Sequence, residues 1–155
     1  MGRLMKRIIK SSVVAATTAL ISNFLNLSET KVGKILGIAI PIITFFTADD
    51  PKISDLLFKN SKDRRDRGKK DGPFDLKAAE KEFFDVFGDK GHAMSKFIAK
   101  ETDSTEEEVN GVLGMTMSVM ERGLGRNIEE EEMDEEGFNK LFKGEAEEQK
   151  KKKPS

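Results

Sequence analysis

Only a few residue types in this chain could carry chemistry, and each fails on its own geometry. The chain has one histidine, His92, and no cysteine. A metal site using His92 would need Asp or Glu for every other ligand, and positions i+3 and i+4 hold Ser95 and Lys96 instead. A histidine-activated nucleophile needs a hydroxyl and an orienting acid, and no Ser near His92 has a companion acid in sequence reach. Without cysteine there is no thiolate, no disulfide and no cysteine-based metal site, which suits a reducing, cytoplasmic compartment. Gly68-Lys69-Lys70 imitates the end of a phosphate loop, but Asp63 stands where the first Gly belongs, and Lys70 and Asp71 follow where Ser or Thr is required. Gly123-Leu124-Gly125 follows a helical pattern, whereas a dinucleotide fingerprint opens one. The acidic run 129–136 lacks calcium-loop spacing. The expectation is a non-enzyme with no catalytic, cofactor-binding or metal-binding residue.

Binding is the remaining possibility. Lys59, Lys62, Arg64, Arg65, Arg67, Lys69 and Lys70 form a basic cluster that could neutralise phosphates. Asp63, Asp66 and Asp71 dilute it, and no aromatic residue is interleaved for base stacking. The cluster therefore reads first as a solvated linker over residues 60–72, and second as a nucleic-acid contact. It belongs to a wider asymmetry. Residues 1–72 carry 14 Lys/Arg against 7 Asp/Glu, a net of +7, while residues 73–155 carry 13 against 21, a net of −8. Opposite-signed halves can attract within one molecule or head-to-tail between molecules.

The elements that must position these groups are announced by an internal repeat. Shifting the chain by 77 positions lays residues 15–43 onto 92–120 without a gap. Ala16/Ala93, Ile21/Ile98, Glu29/Glu106, Val32/Val109, Leu36/Leu113 and Gly37/Gly114 coincide, and the apolar pattern extends further: Leu20 meets Phe97, Ile35 meets Val112, Ile40 meets Met117. Ser28 and Thr105 take the same capping position, and Thr105 with Glu108 completes a capping box. Apolar spacing is helical throughout, and no segment alternates as a strand would. The fold class expected is all-α: a compact bundle of two pseudo-symmetric helical repeats. One domain covers residues 1–144, with repeat one at 4–59, the linker at 60–72 and repeat two at 74–144. The charged tail 145–155 holds too little apolar surface to fold. Leu20, Leu36, Phe97 and Leu113 are expected to share one interior.

Taken in order, residues 3–27 place four basic residues ahead of an apolar stripe through Ile9, Val13, Ala16, Leu20 and Phe24. This imitates a signal peptide, but Thr17 and Thr18 break the apolar run and the same positions recur inside the chain, so a retained amphipathic helix is expected. A second helix runs from 29 to 47 with Pro41 inside it; its apolar run of residues 35–46 is too short to span a bilayer. A short third helix occupies 51–59, a fourth ends near Phe87, and a fifth spans 93–102. A long sixth starts after Thr105 and is expected to stop at Gly123 and Gly125. A short last helix covers 137–144. Both long helices are apolar on more than one face, with Ile38, Ile42, Met115 and Val119 off the main stripe, so both need cover on several sides.

Leu27-Ser28-Glu29-Thr30-Lys31-Val32 and Leu36, followed by Pro41, resemble the bacterial YidB-like family of unknown function, over about residues 5–60 and 83–125. The second copy, from Phe87-Gly88-Asp89-Lys90 to Leu113, departs from that pattern with Asp103-Ser104 in the turn and Ser118 where Pro41 stands. The resemblance implies an all-helical fold and brings no catalytic residue with it. Residues 94–123, with Phe97-Ile98-Ala99-Lys100-Glu101-Thr102, a capped turn and a long apolar helix, also resemble the helical hairpin of the histone-like HU family. There the helices make the dimer; here an acidic run stands where DNA-gripping arms would follow. Together these readings favour a non-enzymatic protein-interaction module that associates with itself as a homo-oligomer. The alternatives are nucleic-acid binding through residues 59–70 and membrane-surface association through residues 2–10, where Leu4, Met5, Ile8 and Ile9 sit among basic residues. No small-molecule substrate is indicated.

Overall fold

The computed structural model describes residues 11–67 and 74–152, which form seven helices and, among the described residues, no strand. They are α1 (Ser11–Leu25), α2 (Glu29–Asp49), α3 (Pro51–Arg67), α4 (Leu76–Phe87), α5 (Asp89–Glu101), α6 (Glu106–Glu130) and α7 (Glu135–Lys152). The expected all-α class is what the chain adopts.

Two hairpins, α1–α2 and α5–α6, turn in the same way. Asn26 and Asp103 take left-handed backbone at φ 57° and 52°, a conformation their short polar side chains tolerate better than most. The next residue then reaches back five positions: Leu27 N–H donates to the Ser22 carbonyl at 3.1 Å, and Ser104 N–H to that of Ala99 at 2.9 Å. One residue later Ser28 and Thr105 cap the following helix, accepting from Lys31 N–H and Glu108 N–H at 3.1 Å each. In the second hairpin Glu108 also accepts from the Thr105 N–H at 2.9 Å, closing the capping box.

The long helices α2 and α6 run through the middle of the bundle. The first packs against α1, α3, α5, α6 and α7, the second against α1, α2, α3, α4 and α5. That arrangement explains their apolar character on several faces, and α2 alone buries nine residues. By length and composition α2 could cross a membrane, but half of that stretch is buried within the bundle. The third helix of the chain lies on α6, and the last lies on α2. A single core holds Ile21, Ile35, Leu36, Ile98, Leu113, Met117, Phe138 and Phe142, each almost or wholly excluded from solvent.

Several expectations need correction. Leu36 and Leu113 both lie in the core, but Leu20 and Phe97 remain 54% and 51% exposed. Ile21 and Ile98, one residue further on, take the inward position, and a single helical step turns the neighbour by about 100°. For α1 the consequence is larger. Its expected buried stripe, Ala16, Leu20 and Phe24, faces outward, and Thr18 and Ile21 face the core. Residues 60–67 are not a linker but the second half of α3, fastened by Ser61, which is buried, and by Arg64, which turns inward. Gly123 and Gly125 do not end α6. Neither takes positive φ, and burying Leu124 and Ile128 outweighs the cost, on the order of 1 kcal/mol each, of glycine in a helix. The helix stops before Glu132 at φ 48°. The run 129–136 therefore splits between the end of α6, a turn and the start of α7. The expected tail is helical as far as Lys152, since Phe138, Phe142 and Ala146 anchor α7 and Glu, Gln and Lys continue a helix readily. Residues 1–10, on which the membrane-surface reading rests, lie outside the described residues.

Candidate functional site

The site with the most unusual chemistry is a carboxyl inside the bundle. Glu121 sits on the core stripe of α6, four residues after Met117 and three before Leu124, so its helix carries it where an apolar side chain would otherwise stand. Its side chain is 0% exposed. Two helices supply partners. From α3, Arg64 donates through Nε to Glu121 Oε1 at 3.4 Å. From α4, Glu82 adds the influence of a second carboxyl on Glu121. The second oxygen, Glu121 Oε2, has no hydrogen-bond donor among the described residues.

Charge decides the state of this junction. An ionised Glu121 would hold its negative charge where its own side chain has no access to water, and that is costly unless the charge is fully balanced. With one proton retained the cluster is neutral. Burial is the main force on Glu121, Glu82 adds to it and Arg64 opposes it, and together they push its pKa up to about 9. At neutral pH the carboxyl therefore keeps its proton, and a protonated carboxyl is a donor as well as an acceptor.

Glu82 also lines a cleft of about 290 Å³ between α3 and α4, together with Leu56, Asn60, Lys81 and Asp85. Lys81 is held by Asp85, one helical turn on, at 2.7 Å. Glu121 lies behind this cleft and does not line it. The arrangement can store and release a proton. Among the described residues no group of three or more His, Asp or Glu is placed to hold a metal ion.

The basic cluster is scattered by the fold. Lys59 and Lys62 are exposed on α3 and border a second groove, of about 650 Å³, with Asp55, Asp63 and Glu135. Arg64 points the other way, to Glu121. Arg65 and Arg67 fall on the same helix, and Lys69 and Lys70 lie outside the described residues. His92 is exposed, with its ring stacked on Phe84 at 4.2 Å between centroids. Sequence reasoning passed over Glu121 and Glu82, although one signal was present: a Glu at a core register of an otherwise apolar helix.

A second feature lies on the surface. Leu20, Phe24 and Phe97 are each about half exposed, and Phe74 is 38% exposed. Phe24 meets Phe74 edge-on at 5.2 Å. No protein-family model, curated protein or solved structure matches this chain.

Proposed function

We propose that this chain is a non-enzymatic helical interaction module that associates with a second copy of itself. The observation that carries the reading is the outward stripe of α1. Ala16, Leu20 and Phe24 recur every fourth residue, the spacing of a face made to be covered, and among the described residues they stay largely exposed, with only Phe74 against Phe24. Phe97 presents a comparable apolar group on α5. The opposite net charges of the two halves favour head-to-tail approach of one copy to another.

The reading includes an origin for the bundle in two related hairpins. Support comes from the matching turns at Asn26 and Asp103, and from the ion pair of Lys31 Nζ with Glu108 Oε1 at 3.4 Å, which joins positions 77 apart. Support also comes from the reciprocal packing of α3 on α6 and α7 on α2. The nucleic-acid alternative through residues 59–70 has less behind it, since Arg64 is engaged inside the bundle.

Light scattering across a concentration series tests the self-association. The parent should gain mass with concentration, and Leu20→Asp with Phe24→Asp should remain monomeric with its helical signal intact. A parent that stays monomeric at the highest concentration overturns the reading.

A further inference from the structure

Building on self-association through α1, we infer that the surface receiving its stripe is a different one. The α1 face of one copy docks antiparallel on the Phe97 face of α5 in the next, so copies join head to tail and growth continues past a dimer. The internal repeat supplies the match. Leu20 and Phe97 take the same repeat position and are equally open, at 54% and 51%. Ala16 and Ala93 coincide one turn earlier, and both are exposed.

The two faces cannot meet within one copy. Helices α1 and α5 each pack on both α2 and α6, which sets them on opposite flanks of that central pair. On each, Ile21 or Ile98 points to the core and the exposed residue before it points away. A contact between unlike faces leaves one of each unfilled at its two ends. These take up further copies until a ring closes or a filament grows. Steric fit favours the antiparallel direction. Around the central pair of Leu20 and Phe97, the large Phe24 falls beside the small Ala93, and the small Ala16 beside the longer Glu101. Phe74, edge-on to Phe24 at 5.2 Å, extends the apolar surface at that end.

Charge selects α5 over a second α1. No charged residue occurs in α1, and residues 1–10 ahead of it carry Arg3, Lys6, Arg7 and Lys10 with no acid. The antiparallel arrangement turns the start of α1 toward the tip of the α5–α6 hairpin. There Glu101, Asp103, Glu106 and Glu107 are all exposed, and Lys100 is the one base within residues 100–107. The corresponding tip of α1–α2, residues 23–30, offers Glu29 alone. An α1–α1 pair would forgo most of this attraction.

A mixing experiment with the full chain, read by light scattering, tests it. The parent should pass the mass of a dimer as concentration rises. Leu20→Asp with Phe24→Asp removes one face, and Phe97→Asp removes the other. Each variant should be monomeric alone, and an equal mixture of the two should form a dimer that grows no further. All three positions are at least half exposed, and circular dichroism checks that the variants keep their helices. Glu101→Lys, in the last turn of α5 where a cation suits the helix end, should weaken association about two- to fivefold and serves if an aspartate variant fails to fold. The head-to-tail contact is overturned, with self-association left standing, by a parent that stops at the dimer or a mixture that stays monomeric. A Phe97→Asp or Glu101→Lys chain that associates like the parent overturns it equally. A parent that stays monomeric throughout overturns both.

Discussion

The hairpins α1–α2 and α5–α6 turn alike and cap alike, yet they use their equivalent positions in opposite ways. Gly37 and Gly114 are the plainest case. A methyl group added at Gly37 would meet nothing within 4 Å. At Gly114 it would stand 2.9 Å from the backbone nitrogen of Glu80, so there glycine is what lets α4 lie against α6. Thr44 and Glu121 make the same contrast in polarity. Both are wholly buried. Thr44 satisfies itself by donating its hydroxyl to the Ile40 carbonyl at 2.8 Å, as small hydroxyl side chains do within helices. Glu121 depends on two other helices. The first hairpin is nearly self-sufficient in its polar groups, and the second has given its surface over to holding α3 and α4. The two hairpins agree in their turns and caps and differ in their polar and glycine positions.

The largest test asks whether the two hairpins share one core. Leu36 and Leu113 are 1% and 0% exposed in the same cluster, so Leu36→Ala and Leu113→Ala should each cost about 2–5 kcal/mol in chemical denaturation. A cost confined to one of them would mean the hairpins are unequal partners. The glycine pair comes next. Gly114→Ala should lower stability by about 1–3 kcal/mol through the clash with α4, and Gly37→Ala should raise it by about 0.5–1 kcal/mol by removing glycine's unfolded-state freedom. Thermal melts of both variants would show opposite signs, and equal signs would break the contrast. The smallest effect belongs to Lys31 and Glu108, which are about one-third exposed. A double-mutant cycle should return a coupling of about 0.2–1 kcal/mol that shrinks in salt.

Much of the fold was legible because helix caps and apolar spacing are local signals. Thr105 with Glu108, Ser28 and Asp75 each start a helix where such residues should. Errors arose where distant packing overruled local preference. Gly123 and Gly125 read as a stop, but the contacts of Leu124 and Ile128 carry α6 past them. The charged stretch 60–67 read as solvent-facing, but a guanidinium can neutralise a buried acid, and that partner lies 57 residues away in Glu121. The stripe of α1 was recognised as a face and assigned to the wrong side. Periodicity tells that Ala16, Leu20 and Phe24 point together; only the neighbouring helices decide that Ile21 points inward. The junction at Glu121 was the least legible, because a single acid in a sequence rich in acids carries no mark until its surroundings are known.

Because α3 lies over α6 while α7 lies over α2, each half of the chain hands its last helix to the other. Severing the backbone between Arg67 and Phe74 would leave two clasped pieces, each missing part of its own oily covering and finding it only on its counterpart. Neither piece is a smaller edition of the whole.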